Sequence, residues 1–232
     1  MPNWCYNEMT ISAEGEDAEK QLEEFKEISI KVEEKENDNG AKYTEENLTF
    51  QGVVPRPLSL NITSGSSVSD AISYLKHLDG NSDEIKGMFN RTWMTEGPDK
   101  LFDKESSESD KIKAIAKWLE DSLEVNDLTE ARVAIENVKK HGHTDWYWWS
   151  VENWGTKWDA VTTNYDYDHQ WLQVCFDTAW SPPEPWIQEV SKKFPLLEIT
   201  VRVTEESDAY MGYICAINGE INCSFAEPHM PN

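Results

Sequence analysis

Residues 171–203 have the sequence WLQVCFDTAWSPPEPWIQEVSKKFPLLEITVRV, and this stretch decides the fold. Its first six residues are mostly of the apolar and aromatic types that strands favour, and the prolines that follow suit the first turn of a helix. Trp186, Val190 and Phe194 lie four residues apart, on one helical face. From Leu197 to Val203, apolar and polar residues alternate as in a half-buried strand. The stretch therefore predicts a strand, a helix and a second strand.

The flanking residues extend this pattern in both directions. Toward the C-terminus, Tyr210–Ile217 predicts a strand, and Asn218-Gly219 predicts a tight hairpin turn before one more strand. Toward the N-terminus, residues 3–12 predict a strand. The helix that follows has one apolar face, formed by Ala18, Leu22, Phe25 and Ile28. Residues 48–54 then predict a second strand, which ends at Pro55.

Residues 58–142 have a different, helical pattern with few strand candidates. Helices are predicted around 68–78, 85–93, 112–123 and 129–140, the last with Val138 directed inward and Gly142 just beyond its end. We therefore predict an α+β protein: a ferredoxin-like split βαβ antiparallel sheet with a helical insertion and an extra C-terminal β-hairpin. Residues 1–57 and 143–232 would form the ferredoxin-like scaffold, and residues 58–142 the helical insertion.

The charge of the chain is strongly negative and unevenly distributed. Its 232 residues include 44 Asp and Glu against 21 Lys and Arg, a formal net charge of −23. Because phosphates are bound by Lys and Arg, this balance argues against a broad nucleic-acid-binding surface. Residues 1–50 alone hold 14 acids and 5 bases. Such a run is either a solvated surface that maintains solubility or a surface that occupies a basic groove on a partner.

The candidate partner-binding residues are the acids of two segments and two adjacent tryptophans. They are Glu14, Glu16, Asp17, Glu19, Glu23, Glu24, Glu27, Glu33, Glu34, Glu36, Asp99, Asp103, Glu105, Glu108, Asp110, Trp148 and Trp149. The second segment lies in the helical insertion. We expect the insertion to determine which partner is bound, because it decorates the ferredoxin-like scaffold.

Tryptophan is concentrated in one part of the chain, since eight of the 11 lie between residues 146 and 186. Proteins that stack single-stranded bases combine aromatics with a basic groove, but only Lys157 is basic between residues 141 and 191. The rings therefore serve a core or a protein interface. The predicted core tryptophans are Trp154, Trp158, Trp171 and Trp180. At least one of Trp148 and Trp149 must face outward, because they are adjacent.

Few residues point to catalysis or metal binding. Cys5, Cys175, Cys215 and Cys223 form no C-x-x-C pair and are expected to be buried, reduced thiols. His141-x-His143-x-Asp145, with His169 or Cys175, is the most metal-like set, but its spacing is unspecific. Asp166-x-Asp168 places two carboxylates on one side of an extended chain. No common catalytic or phosphate-binding motif is present, so we expect no enzyme, metal or cofactor.

The location of the protein is predicted from two features. No segment approaches the ~18–20 apolar residues that a membrane span needs. The first residues lack the basic and apolar regions of a signal peptide. We expect a cytoplasmic protein with no membrane partner.

Three motifs resemble one family. They are Met1-Pro2-Asn3-Trp4-Cys5-x-Asn7, Trp154-Gly155-Thr156-Lys157-Trp158-Asp159 and Phe176-x-Thr178-Ala179-Trp180-Ser181-Pro182-Pro183. They are similar to the YubB-type ferredoxin-like family of phage and plasmid proteins, over roughly residues 1–55 and 143–217. The resemblance implies a mobile-element origin and expression inside a bacterial host cell, and it carries no catalytic residues to this chain.

These observations lead to one functional expectation and two alternatives. The leading expectation is an acidic phage or mobile-element protein that inhibits a host nucleic-acid-binding defence complex, in the manner of an anti-CRISPR protein or a nucleic-acid mimic. One alternative is a metal- or thiol-dependent enzyme, which would require stoichiometric metal or a reactive thiol. The other is a structural or regulatory protein that self-associates through a strand edge or outward tryptophans.

Overall fold

The computed structural model describes residues 3–37, 39–207 and 209–226. Two compact units are present: Met1–Arg56 with Tyr147–Asn232, and Pro57–Trp146. The strands are β1 (Trp4–Ala13), β2 (Ile30–Glu36), β3 (Lys42–Leu48), β4 (Val161–Asp168), β5 (Trp171–Ala179), β6 (Leu197–Glu205), β7 (Met211–Ile217) and β8 (Glu220–Ala226). The α-helices are α1 (Glu16–Ser29), α2 (Ser66–Leu78), α3 (Asp83–Gly87), α4 (Thr92–Thr95), α5 (Glu108–Ser122), α6 (Val125–His141), α7 (Trp146–Trp154) and α8 (Glu184–Lys193).

The first unit is built on a six-stranded antiparallel sheet in the order β4-β5-β1-β6-β7-β8. Strand β5 lies between β4 and β1, and β1 lies between β5 and β6. The units β1-α1-β4 and β5-α8-β6 are therefore two split βαβ units, the ferredoxin-like arrangement. Strands β7 and β8 extend the sheet beyond β6 as a hairpin. The predicted fold class is confirmed.

One face of this sheet carries the core. Burial alternates along β1, β5 and β6, so Met9, Val174 and Val201 are fully buried while their neighbours are exposed or half-buried. Phe50 and Trp186 pack in the same core, with ring centroids 4.7 Å apart. The opposite face of the sheet has the polar positions of each strand.

The predicted strand over residues 48–54 is wrong. Phe50–Gly52 forms a 3-10 turn that Thr49 caps by accepting a hydrogen bond from the Gln51 amide. Asp159 Oδ1 also accepts a hydrogen bond from the Phe50 amide at 2.7 Å, so a residue distant in sequence holds the turn. The extended segments are instead β2 and β3, which pair only with each other as a two-stranded ribbon.

Glycine is required at position 52 by close backbone contact. A Cβ there would lie 1.9 Å from the Ile28 carbonyl oxygen. The turn after β3 therefore packs directly against the end of α1. This contact positions the β2–β3 ribbon, because in sequence the ribbon lies between α1 and the turn.

The second unit consists of short helices around two apolar clusters. Ile85, Met94, Ile115 and Leu119 belong to one cluster. Val68, Ala71, Ala131 and Ala134 form the other, where α2 meets α6. Helix α6 ends at Gly142 as predicted, in the left-handed conformation with φ 78°. The inward orientation predicted for Val138 is wrong, since this side chain is 46% exposed.

The cysteines only partly follow the prediction of buried thiols. Cys5 is buried and Cys175 is half-buried, but Cys215 and Cys223 are exposed, and all four are free. Cys215 lies on the polar face of β7, and Cys223 lies on the edge strand β8, where the hairpin register places it opposite Ile214. Both positions leave the side chain accessible.

Candidate functional site

The acids of α1 divide into those with partners and those without. Glu16, Asp17 and Glu19 occupy the first turn, where carboxylates interact favourably with the helix dipole. Lys20 Nζ lies 2.9 Å from Glu16 and 3.4 Å from Asp17. Glu19 accepts a hydrogen bond from the side chain of Gln170. These residues help to stabilise the helix.

Glu23 is also held by the fold. The Tyr167 hydroxyl donates to its carboxylate, and Lys26 Nζ lies 3.0 Å from it. These two contacts, the Tyr167 hydrogen bond first, lower the pKa of Glu23. By contrast, Glu24 and Glu27 are exposed, and within the described residues no ion pair joins either of them. Glu14 is exposed just before the helix.

The β2–β3 ribbon has one acidic face and one balanced face. Every residue of β2 after Ile30 is exposed. Residues that are paired across the two strands share a face of the ribbon. One face therefore holds Val32, Glu34 and Glu36 of β2 together with their partners Glu46, Thr44 and Lys42 of β3. We call this the acidic ribbon face; it has three carboxylates and one amine. The other face holds Lys31, Glu33 and Lys35 with Asn47, Glu45 and Tyr43, two carboxylates and two amines. Lys35 forms an ion pair with Glu45 there, so Glu33 lies in balanced surroundings.

The acids of the helical insertion are exposed, and most have local partners. Asp103 pairs with Lys100, and Glu108 lies 3.0 Å from Lys86. Asp110 is in the first turn of α5, where its amide bonds to the Ser107 cap. Asp99 and Glu105 are exposed in the segment that precedes α5. Three of these five acids thus have structural roles in the insertion.

The net charge is concentrated in the ferredoxin-like unit. This unit holds 27 acids and 10 bases, a net charge of −17, whereas the insertion holds 17 acids and 11 bases, a net charge of −6. Four exposed acids of α1 and β2 belong to the more acidic unit and form no ion pair within the described residues: Glu24, Glu27, Glu34 and Glu36. We call these four residues the unpaired acidic set.

The tryptophans are divided between core and surface. Trp154 is 1% exposed, as predicted, and Trp149 is buried while Trp148 is 65% exposed. The core positions predicted for Trp158 and Trp180 are wrong, because both are exposed.

Each of the misplaced tryptophans has a physical reason for its exposure. Trp158 lies at the surface beside Trp4, with tilted rings whose centroids are 6.1 Å apart, and Lys157 Nζ lies 3.9 Å from its ring centre. Trp180 lies in a turn with φ 76°, beyond the alternation of β5. Trp171 is half-buried on the polar face of β5.

The residues of the three sequence motifs form a structural network. The Asn7 amide donates hydrogen bonds to the Cys5 carbonyl at 2.9 Å and to Thr178 Oγ1 at 2.9 Å. Asp159 accepts from Thr49 Oγ1 and from the Phe50 amide, both at 2.7 Å. Met1 and Pro2 lie outside the described residues.

The middle motif also fixes the turn after β5. Thr156 Oγ1 donates to the Ala179 carbonyl at 2.9 Å, and Ser181 donates to the Gly155 carbonyl. Gly155 has φ 85°, and a Cβ there would lie 2.6 Å from Pro185 Cδ. These contacts give the residues of the motifs a role in folding.

A shallow cleft of about 210 Å³ lies on the polar face of the sheet. Its lining includes Glu8, Cys175, Asp177 and Arg202, and Arg202 lies 3.9 Å from Glu8. Burial raises the pKa of Asp177, and Glu206 adds to the shift. Burial likewise raises the pKa of the Cys175 thiol, with Glu8 and Asp177 contributing. This environment disfavours the thiolate that a cysteine nucleophile needs.

Sequence reasoning missed three residues of this cleft: Glu8, Asp177 and Arg202. Each occupies a polar position of a strand whose alternate residues are core. The alternation places them on one face, but only the strand order brings β1, β5 and β6 together.

The residues considered for metal or acid–base chemistry are dispersed. His141 ends α6, His143 follows Gly142, and His169 lies in the turn between β4 and β5. Over residues 3–37, 39–207 and 209–226, no three His, Cys, Asp or Glu side chains are grouped closely enough to hold a metal ion. In the same part of the chain, no helix is long and apolar enough to cross a membrane.

The fold of the first unit and one family model agree on the class of this unit. The first unit is a ferredoxin-like domain, and residues 153–228 match a family model described as a ferredoxin-like domain in Api92-like protein. The match includes β4 to β8 and α8. Among solved structures, the chain is similar to the protein api92 from Yersinia pseudotuberculosis. That comparison has 12% identity, covers 98% of this chain and 100% of that one, and gives a TM-score of 0.38. No curated protein matches the chain at a significant level.

Proposed function

We propose that this protein is a non-enzymatic binding protein of a phage or plasmid that occupies the basic nucleic-acid-binding groove of a host defence complex, such as a CRISPR effector. It would act in the cytoplasm of a bacterial cell. The resemblance of its motifs to YubB-type proteins of mobile elements supports the origin. The observation that carries the mechanism is the unpaired acidic set, Glu24, Glu27, Glu34 and Glu36, on regular elements of a unit with a net charge of −17.

The placement of these carboxylates suits contact with a basic groove. Glu34 and Glu36 are two residues apart on one face of β2, so they are about 6.8 Å apart along the strand. Glu24 and Glu27 are three apart on α1, where side chains lie about 5–6 Å apart. Because a helix and a strand already fix the backbone of these residues, binding to Lys and Arg side chains costs side-chain entropy but little backbone entropy.

The strength of the field also favours this role. At physiological ionic strength, salt largely screens the interaction between exposed charges that are more than about 8 Å apart. The attraction between this unit and a basic groove should therefore weaken as the salt concentration rises. A strongly negative unit speeds its encounter with a positive groove and repels nucleic acid itself. The protein would thus compete with nucleic acid for the same groove.

The proposal is tested with one variant and a matched control. The test variant carries Glu24→Gln, Glu27→Gln, Glu34→Gln and Glu36→Gln. The control carries Glu96→Gln, Glu120→Gln, Asp121→Asn and Glu136→Gln, four exposed acids of the insertion that have lysine partners and are not candidate partner-binding residues. Both lose four charges, but only the first loses the unpaired acidic set.

The immobilised protein is used to capture partners from nuclease-treated bacterial lysate, and each captured partner is tested with labelled DNA and RNA by fluorescence anisotropy. We expect the parent protein to displace the nucleic acid, with an affinity that falls as salt rises. The association rate of the test variant should fall about tenfold or more, whereas the control should bind nearly as the parent does. Capture of no nucleic-acid-binding protein, or binding indifferent to salt, would contradict the proposal.

A second candidate function is self-association, which the β7–β8 hairpin favours. Strand β8 is at the edge of the sheet, and Met211, Tyr213 and Ile217 of β7 are exposed on the polar face. Unpaired edges and exposed apolar side chains both promote pairing between chains. Light scattering over micromolar concentrations tests it: a dimer that Ile217→Lys dissociates would support self-association, and a monomer throughout would exclude it.

A further inference from the structure

The helical insertion contains a cavity whose lining belongs to the second unit alone. Its volume is about 540 Å³, within the range of roughly 300–1,000 Å³ of small-molecule sites. Its lining comes from α2, α3, α6 and the residues that follow α3. This volume has room for a small organic molecule.

One part of the lining is apolar. Ile72, Met88, Ile135 and Val138 line the cavity. Val138 is 46% exposed although it lies on α6 among residues that pack inward. Its exposure leaves apolar surface in contact with water, and a bound apolar group would cover that surface.

The charged part of the lining has the opposite sign to the rest of the protein. Lys76, Arg91 and Lys139 line the cavity with one acid, Glu84, whereas the whole chain has twice as many acids as bases. All three cations have a carboxylate partner: Lys76 forms an ion pair with Glu84 of the same lining, Arg91 lies 3.1 Å from Asp70, and Lys139 lies 2.6 Å from Glu136. Each cation has further N–H donors beyond its carboxylate contact. The hydroxyls of Ser69, Ser73 and Thr144 add polar groups to the lining.

We propose that the insertion binds a small amphipathic anion, with its apolar body against Ile72, Ile135 and Val138 and its anionic head near Lys76 and Lys139. The motivating observation is the combination of an apolar lining with three cations in an otherwise acidic chain. The inference concerns a different unit from the unpaired acidic set, so either proposal stands without the other.

Octanoate is the probe, and isothermal titration calorimetry on the full chain is the measurement. We expect 1:1 binding of octanoate and clearly weaker binding of 1-octanol, which has the same apolar body without the charge. The variant Lys76→Gln/Lys139→Gln should weaken octanoate binding by about tenfold or more, because it removes two charged donors. Val138→Glu, at an exposed position, should abolish binding by placing a carboxylate beside the apolar body.

The control is Lys104→Gln/Lys117→Gln, which removes two exposed, ion-paired lysines of the same unit outside the cavity. It should bind octanoate as the parent does. Absence of octanoate binding, equal binding of octanoate and octanol, or insensitivity to the Lys76→Gln/Lys139→Gln and Val138→Glu variants would each overturn the proposal. Arg91 is left intact because its substitution would unpair the largely buried Asp70.

Discussion

Replacing Asp159 with alanine tests whether the Trp154–Asp159 motif serves folding. The Asp159 carboxylate accepts hydrogen bonds from Thr49 Oγ1 and the Phe50 amide, both at 2.7 Å, and from the Ala160 amide at 3.0 Å. Thr49 is 3% exposed and Phe50 is fully buried, so water cannot easily replace the lost acceptor. Leaving two buried donors unpaired costs about 1–3 kcal/mol each. We take about 3 kcal/mol in total, because Asp159 itself is half-buried.

The measurements are urea unfolding, for the free energy, and thermal unfolding, for Tm, each followed by tryptophan fluorescence. A loss of about 3 kcal/mol corresponds to a fall in Tm of roughly 6–12 °C for a chain of this size. Asp159→Asn retains one acceptor oxygen and should lose less.

Asp166→Ala is the control, because within the described residues this exposed carboxylate accepts a hydrogen bond only from the Tyr167 amide next to it. Its effect should stay within about 0.5 kcal/mol. If Asp159→Ala is equally mild, the motif does not act by anchoring the 49–50 turn, and the reasoning is refuted.

Three further predictions concern stability. Gly52→Ala should lower the free energy of unfolding by about 3 kcal/mol, measured in urea, because the new Cβ meets the Ile28 carbonyl at 1.9 Å; an unchanged midpoint would be inconsistent with this contact. Trp154→Ala should lose about 3–5 kcal/mol, whereas the exposed Trp148→Ala should change the thermal midpoint very little. Asp177→Asn should be more stable than the parent at pH 7, because burial and Glu206 raise the pKa of Asp177 in the folded state and so penalise its charge. This advantage should disappear as the pH falls below both the folded and the unfolded pKa, and a pH-independent difference would contradict it.

The parts of the fold that could be predicted have local signals. The β5-α8-β6 stretch has prolines at the helix start and clean apolar alternation, so its residues determine their own elements. The 48–54 segment has strand-like residues, but Asp159 of a distant segment holds Phe50–Gly52 as a turn. Strand β4 was missed because its residues are mostly polar and it bears Asp166 and Asp168 at an edge of the sheet.

The sequence predicted which acidic residues belong to the candidate site, but it did not predict which of them have ion-pair partners. The sequence shows which residues are acidic, but it does not show that Lys20 pairs with Glu16 or that Glu33 lies on the balanced ribbon face. Those facts depend on helix spacing and strand register together. The cavity of the insertion was not predicted, because Lys76 and Lys139 come from helices far apart in sequence.

The position of β1 in the middle of its sheet has a consequence for synthesis. Its two partners, β5 and β6, begin at Trp171 and Leu197, so β1 leaves the ribosome long before either. At a synthesis rate of about 5–20 residues per second, roughly 8–33 s pass between the synthesis of β1 and that of β5, its first partner. Meanwhile the helices of the insertion emerge and make their local contacts. Since residues 1–50 hold 14 acids and 5 bases, mutual repulsion keeps unfinished chains apart during that interval.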